Sequence, residues 1–197
     1  MAELTFTYGT MAAGKSTLAL QLCWQLRQSR SDVALWTFGD RSVDGMVTSR
    51  IGIAAKADEV TADSDLTSEV AQLLALHVKI LVVDEVQFAR VAQIDELARL
   101  VDEHDVDVHA FGLSADFLLN IFPGSARLFA IADVAHELPL TSLCWCGGRG
   151  RCNARVVDGV VAREGSQFFT GDVNEGVVHY QVLCRAHYRS GQLQTIE

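Results

Sequence analysis

The 197-residue sequence predicts an α/β fold, in which a parallel sheet is flanked by helices and followed by a small C-terminal lobe. Apolar strand-like runs alternate with segments of helical periodicity, and such alternation is typical of parallel sheets with helical crossovers. Near residue 140 the composition changes, because four of the five cysteines lie beyond that point among closely spaced glycines and arginines. We therefore expect an α/β domain over residues 1–140 and a separate lobe over residues 141–197.

The predicted elements of the α/β domain follow one another in a regular order. Leu4, Phe6 and Tyr8 alternate as in a short strand, and a helix begins at Lys15. The apolar residues of that helix recur at helical spacing at Leu18, Leu22 and Leu26. Further strands are predicted over residues 33–38, 80–83 and 106–113, with a helical stripe of Ile94, Leu97, Ala98 and Val101 before the last. Residues 39–65 lack a strong period and are predicted to form loops.

Between the first strand and the first helix, residues 9–16 match the phosphate-binding pattern G-x-x-x-x-G-K-[ST]. Gly9 and Gly14 allow the backbone to wrap closely around a triphosphate, and the amide groups that open the helix face the anion. Lys15 is expected to reach the β and γ phosphates, and Ser16 to offer its hydroxyl to Mg²⁺. The residues predicted to bind ATP and its metal are Gly9, Thr10, Met11, Ala12, Ala13, Gly14, Lys15, Ser16 and Thr17. The motif predicts a nucleotide-binding domain with a P-loop NTPase-like parallel sheet.

The third predicted strand ends in two carboxylates, Asp84 and Glu85. P-loop proteins place an acid at such a strand end beside the metal, so Asp84 is expected to hold Mg²⁺ directly or through water. Glu85, one residue further, is available as a general base toward the group that attacks the γ phosphate.

The C-terminal cysteines have the outline of a structural zinc site with three thiolates and one imidazole. Cys144 and Cys146 form one close pair, and Cys184 and His187 form the other, as in sites that pin two chain segments together. Cys152 is an alternative to Cys144 as the first ligand. Cys23, within the first helix, is predicted to be a core residue.

Composition limits the classes of partner. A net charge of −9 argues against a nucleic-acid or membrane surface as the main partner, because such surfaces attract concentrated Lys and Arg. The sequence has no apolar run long enough for a membrane span, and its N-terminus lacks the layout of a signal peptide. We therefore expect a cytoplasmic protein.

Taken together, residues 9–17, the D-E-x-Q-F run at residues 84–88 and the L-S-A-D-F run at residues 113–117 resemble the cellular, zinc-containing (type II) thymidine kinase family. The resemblance covers nearly the whole chain, and D-E-x-Q-F is far more specific than the phosphate loop. It implies transfer of the γ phosphate of ATP to the 5′-hydroxyl of thymidine, and also of deoxyuridine, in pyrimidine deoxynucleoside salvage for DNA synthesis. It further implies a cytoplasmic homotetramer with Mg²⁺ at the phosphates and a structural Zn²⁺.

The resemblance also implies roles for individual residues. Glu85 is implied as the catalytic base for the 5′-hydroxyl, with Lys15 at the phosphates and Gln87 in the motif beside ATP and Mg²⁺. The residues implied to contact the nucleoside are Met11, Asp40, Phe88, Leu113, Phe117 and Tyr180. The family usually has C-x-x-C twice at its zinc site, and both ligand pairs depart from this spacing here, with C-x-C at Cys144 and Cys146 and C-x-x-H at Cys184 and His187.

One segment departs from the family pattern, and a second is assigned its role only from its position in the chain. The family commonly has Asp-x-Arg after the second strand, whereas Asp40 and Arg41 are adjacent here. Arg41 is the candidate to neutralise the charge of the transferring phosphate, and Arg50 is its rival. A lasso loop over residues 153–176 is expected to cover thymidine, with candidate contacts at Asn153, Thr170 and Gly171.

The motifs by themselves are also compatible with a second function. A P-loop ATPase that couples hydrolysis to a macromolecular partner would use Glu85 to activate water, and the cysteine module would then be a docking zinc ribbon. The two functions differ in whether ATP turnover requires thymidine.

Overall fold

Six parallel strands form the central sheet of the protein. A computed structural model describes residues 1–29, 32–39, 45–139, 142–167 and 178–194. The strands are β1 (Leu4–Tyr8), β2 (Val33–Phe38), β3 (Met46–Thr48), β4 (Ala54–Lys56), β5 (Asp58–Val60), β6 (Ile80–Asp84), β7 (Asp107–Gly112), β8 (Val134–Glu137), β9 (Cys152–Val157), β10 (Val160–Val161) and β11 (Val178–Leu183). The helices are α1 (Lys15–Ser29), α2 (Leu66–Ala75), α3 (Val91–His104), α4 (Pro123–Ile131) and α5 (Arg185–Ser190), with a 3-10 turn at Val86–Phe88. The central sheet has the order β5-β2-β6-β7-β1-β8.

The register of the sheet brings the two predicted nucleotide motifs to one edge. Phe6 of β1 and Val83 of β6 both pair with Ala110 of β7, so they lie at the same level of the sheet. All neighbouring strands in this sheet are parallel. The loop after β1 and the acids at the end of β6 therefore leave the sheet at the same edge, where α/β proteins bind ligands.

Helices cover both faces of the sheet, and this confirms the predicted α/β class. In β6, Ile80 and Val82 face the cluster that includes Leu20 and Cys23 of α1. The alternate residues Leu81 and Val83 belong to the larger cluster of the opposite face, which includes Ile94, Leu97, Leu100 and Val101 of α3 and Leu128 of α4. Because both faces are covered, β6 is a continuous apolar run and shows no alternation of polar residues.

The prediction for residues 39–65 was incomplete. This segment contains an antiparallel hairpin of β3 and β4, and β5 forms the edge of the main sheet beyond β2. The strand β8 at the opposite edge was also missed. Each of these strands has only three or four residues, so period-2 alternation has no room to appear.

The buried face of α1 agrees in part with the predicted stripe. Ala19, Leu20 and Cys23 are buried, and Leu22 and Leu26 of the stripe are partly buried against the same cluster. Leu18, the first residue of the stripe, is 38% exposed. The core position predicted for Cys23 is confirmed.

A three-stranded antiparallel sheet with the order β10-β9-β11 and the short helix α5 form the C-terminal lobe. Its own small core contains Cys152, Ala154, Val161, Leu183 and Tyr188. Within the described part of the chain, no helix combines the length and apolar character needed to cross a membrane.

Candidate active site

The phosphate-binding loop has the backbone conformation that its glycines permit. Gly14 has φ = +91°, in the left-handed region that favours glycine, and α1 begins at the next residue. A Cβ at Gly9 would lie 3.3 Å from the Cβ of Ala13, so glycine keeps this loop tight. The loop therefore presents the N-terminus of α1 to a ligand at the sheet edge, as anion binding requires.

Lys15 lies inside the loop and not in solvent. Its side chain is buried, and Nζ donates a hydrogen bond of 2.8 Å to the carbonyl oxygen of Thr10. Burial lowers the pKa of Lys15, although the nearby carboxylates Glu85 and Asp84 oppose this effect. The ammonium group is thus already close to both acids of the second motif.

Asp84 is a buried acid in contact with the phosphate loop. Burial and the neighbouring charge of Glu85 raise the pKa of Asp84 to about 6, while a hydrogen bond with Ser16 lowers it. Carboxylate and hydroxyl oxygens are ligands that Mg²⁺ prefers. Asp84 and Ser16 therefore suit a magnesium ion that accompanies ATP.

Three buried polar atoms of the described residues have no hydrogen-bond partner. They are Oγ1 of Thr10, Oγ of Ser49 and Oδ1 of Asp84. These three atoms belong to the phosphate loop, the β3–β4 turn and the end of β6. Ser49 and Asp84 both line the cleft at this edge of the sheet. Unsatisfied buried polar groups are costly, so these two atoms suit a polar ligand or a metal in the cleft.

Gln87 connects Glu85 to the end of the neighbouring strand β7. Its side-chain Nε2 donates to Oε2 of Glu85 over 2.5 Å, and its Oε1 accepts from the backbone N–H of Leu113 over 2.9 Å. Gln87 is buried, and Glu85 has a left-handed backbone with φ = 55°. A Cβ at Gly112 would lie 2.8 Å from Oε1 of Gln87, so only glycine leaves room for this contact.

A cleft of about 320 Å³ opens at this edge of the sheet. Both motifs and the β3–β4 hairpin line the cleft, which includes Met11, Lys15, Ser16, Thr17, Arg50, Asp84, Glu85 and Leu113. Arg50, the predicted rival of Arg41, is thus at the cleft. The predicted site residues Asp40, Arg41, Thr170 and Gly171 lie outside the described residues.

Three other predicted nucleoside residues that the structure describes, Phe88, Phe117 and Tyr180, are not among the residues that line the cleft. Phe88 packs edge to face on Phe122, with ring centroids 5.9 Å apart. Phe117 is buried, and the guanidinium of Arg155 lies 3.7 Å from its ring centroid. Nε of Arg155 also donates to the hydroxyl of Tyr180 over 3.0 Å. Arg155 therefore joins two predicted nucleoside contacts.

Two residues of this region were missed by sequence reasoning. Arg155 is buried within the apolar strand β9, and a lone arginine in such a run was the available signal. Ser142, whose hydroxyl donates to the carbonyl oxygen of Met11, carried no signal in its sequence context.

Asn153 contacts the phosphate loop in the structure. Its Oδ1 accepts from the backbone N–H of Met11 over 2.8 Å. Contact between Asn153 and a nucleoside stays a prediction.

The four predicted metal ligands lie together in the C-terminal lobe. The ligand atoms of Cys144, Cys146, Cys184 and His187 all lie within 4.8 Å of one another, a geometry compatible with zinc. Burial raises the pKa of Cys144, but backbone hydrogen bonds at Cys146 and Cys184 and the contact with His187 bring it down to about 6. A tight turn accounts for the short C-x-C spacing, because the N–H of Cys144 donates to the carbonyl oxygen of Gly148 over 2.8 Å.

Cys152 is not a member of this group. It is buried in the small core of the lobe beside Ala154 and Leu183. The alternative in which Cys152 replaces Cys144 is therefore not the arrangement in the structure.

Comparisons with known proteins identify the family of this chain. A family model described as thymidine kinase matches residues 2–188. A thymidine kinase of Cutibacterium acnes is 46% identical over 97% of this chain and 90% of its own length. One of Streptomyces coelicolor is 45% identical over 96% and 89%, and one of Jannaschia sp. is 41% identical over 96% of each chain. The chain belongs to the thymidine kinase family.

Proposed function

We propose that this protein transfers the γ phosphate of ATP to the 5′-hydroxyl of thymidine, and also of deoxyuridine. The observation that carries the proposal is the position of Glu85, in the same cleft as Lys15 and the phosphate loop. The side-chain amide of Gln87 donates a hydrogen bond to the carboxylate of Glu85. Membership of the thymidine kinase family supports the nucleoside as the acceptor.

The chain supplies mainly positioning and charge. Lys15 and the amides of the loop hold the phosphates, and phosphoryl transfer depends on such positioning and electrostatic stabilisation. Mg²⁺ would neutralise charge on the phosphates, with Ser16 and Asp84 as its ligands. Glu85 accepts the proton of the attacking hydroxyl. Arg50 or Arg41 stabilises charge on the transferring group.

The nucleoside is held between the cleft and the C-terminal lobe. Met11 and Leu113 already line the cleft and give an apolar surface for the thymine methyl group. Phe117 and Tyr180, joined by Arg155, supply aromatic walls, and Phe88 borders the nucleoside. Thr170 and Gly171 belong to the segment proposed to cover the nucleoside, and Asp40 to the segment after β2. Asn153 lies in β9, where its Oδ1 accepts from the N–H of Met11.

The C-terminal lobe contributes by positioning the loop that covers the nucleoside and takes no part in the chemical step. Zinc at the four ligands would hold β9, β11 and α5 as a rigid base for the covering loop. By family resemblance we also propose a homotetramer, residence in the cytoplasm, and two domains that divide near residue 140.

Nucleoside-dependent release of ADP tests the function. Thymidine should exceed deoxyuridine only modestly, because one methyl group in an apolar pocket is worth about 1–3 kcal/mol. Deoxycytidine should be far poorer, because its donor and acceptor pattern would leave buried polar groups unpaired. ATP turnover that proceeds without a nucleoside, or rises with a macromolecule, would instead support the coupled ATPase. A kcat/KM for deoxycytidine equal to that for thymidine would reject the choice of base.

A further inference from the structure

Both backbone polar groups of Met11 are bound by side chains of the C-terminal lobe. The N–H of Met11 donates to Oδ1 of Asn153 over 2.8 Å. The hydroxyl of Ser142 donates to the carbonyl oxygen of Met11 over 2.7 Å. Met11 is the third residue of the phosphate-binding loop, so two contacts more than 130 residues away in sequence hold the loop from outside the α/β domain.

The two side chains are themselves fixed in place. Asn153 is 7% exposed, lies in β9, and its Nδ2 donates to the carbonyl oxygen of Ala115 over 3.4 Å. The carbonyl oxygen of Ser142 accepts from the N–H of Gly150 over 2.9 Å. A Cβ at Gly150 would lie 2.5 Å from that oxygen and 2.4 Å from Cγ1 of Val182, so any larger residue would disturb the contact. The pair is therefore a built support and not a chance surface contact.

We propose that Asn153 and Ser142 are positioning residues that set the conformation of the phosphate-binding loop through Met11. Because Asn153 already occupies the N–H of Met11, this amide is an anchor of the loop and not a donor to phosphate. The anchor holds the following loop amides in the orientation that ATP needs, so less order has to be imposed when ATP binds. The inference rests on the proposed function only in that the loop binds ATP.

The anchor role and a nucleoside-contact role for Asn153 predict different results. An anchor affects affinity for ATP even when no nucleoside is present. A direct contact with the base changes the discrimination among thymidine, deoxyuridine and deoxycytidine and leaves affinity for ATP alone intact.

Binding of a non-hydrolysable ATP analogue with Mg²⁺, measured by calorimetry without nucleoside, tests the anchor. Asn153→Ala and Ser142→Ala should each weaken binding by about three- to thirtyfold, since each loses one hydrogen bond to the backbone of Met11. Ser142→Thr keeps the hydroxyl and should restore binding to within about twofold. The matched control is Ser68→Ala in α2, which removes a hydroxyl that donates to the backbone carbonyl oxygen of Asp65, far from the loop in sequence.

Nucleoside discrimination, thermal unfolding and zinc content distinguish loss of the anchor from loss of folding. Both variants should retain the wild-type ratios of kcat/KM among the three nucleosides. Thermal unfolding and zinc content identify a variant that fails to fold, and Ser142→Ala, at a partly exposed site, then decides the outcome by itself.

Unchanged affinity in Ser142→Ala and Asn153→Ala would overturn the anchor. So would altered base discrimination in Asn153→Ala with ATP affinity intact, because that result assigns Asn153 to the nucleoside. A wild-type protein that binds the analogue but ignores thymidine would reject the proposed function and leave the anchor standing. A wild-type protein that does not bind the analogue would reject both.

Discussion

Gln87 holds the carboxylate of Glu85 with a hydrogen bond of 2.5 Å from its side-chain amide. The oxygen of the same amide accepts from the backbone N–H of Leu113, at the end of the neighbouring strand β7. Gln87 is only 1% exposed, so solvent does not compete for either bond. The proposed base is thus tied to the rigid sheet and not left on a free loop.

Replacing Glu85 tests its role as the base. Glu85→Gln should lower kcat by about 10²–10⁴, the usual contribution of a general base, with little change in ATP or thymidine binding. Steady-state kinetics and nucleotide titration measure both effects, and Glu59→Gln, at an exposed site in β5, is the matched control. Wild-type turnover in Glu85→Gln would remove this residue from the mechanism.

Variants of Gln87 test whether it positions the base. Gln87→Ala should lower kcat by about tenfold or more while KM for ATP stays nearly constant, because Glu85 loses its support. Gln87→Glu places a second carboxylate beside Glu85 and should move the acid limb of the kcat–pH profile to higher pH. Gln72→Ala, exposed on α2, is the control. An unmoved acid limb in Gln87→Glu would contradict direct coupling to the base.

The pKa of Asp84 predicts a pH-dependent cost to stability. It is raised from 3.8 in the unfolded chain to about 6 in the fold, mainly by burial. With respect to this group, the free energy of unfolding is highest below about pH 4, where the carboxyl is protonated in both the folded and the unfolded chain. It falls as the pH rises through 6, because the carboxyl must then ionise inside the fold. Without ligands, Asp84→Asn should therefore be more stable than the wild type above pH 6, on the order of 2 kcal/mol, and similar to it near pH 4.

Urea unfolding of both proteins between pH 4 and pH 8 measures this difference directly. Asp63→Asn, an exposed carboxylate in the loop before α2, controls for the loss of charge. Asp84→Asn should also bind the Mg²⁺ complex of ATP more weakly, because a neutral amide replaces the proposed metal ligand. A stability gap that stays constant across this pH range would contradict the assignment.

Metal analysis tests the cysteine cluster. The purified protein should contain about one zinc per chain, as expected for four ligands at one site. Cys184→Ser should lose zinc and unfold at a lower temperature, whereas Cys152→Ser should retain zinc, because Cys152 lies outside the ligand group. Equal zinc loss in both variants would show that Cys152 is a ligand.

Much of the candidate site could be predicted from sequence because its parts are local. The G-x-x-x-x-G-K-[ST] run requires glycines at set positions of one turn, and Asp84 and Glu85 directly follow one apolar strand. The paired metal ligands lie within single turns, Cys144 with Cys146 and Cys184 with His187. In each case neighbouring residues define the chemistry, so spacing along the chain is sufficient.

Tertiary structure alone decided the contacts between segments that are distant in sequence. The edge strands β5 and β8 exist because a neighbouring strand offers hydrogen bonds, and their short sequences carry no period of their own. The bonds of Asn153 to Met11 and of Arg155 to Tyr180 join segments whose meeting depends on how the lobe docks. The sequence by itself determined which groups are candidates for the chemistry. The fold decided how these groups are held, because the contacts that position them join residues that only folding brings together.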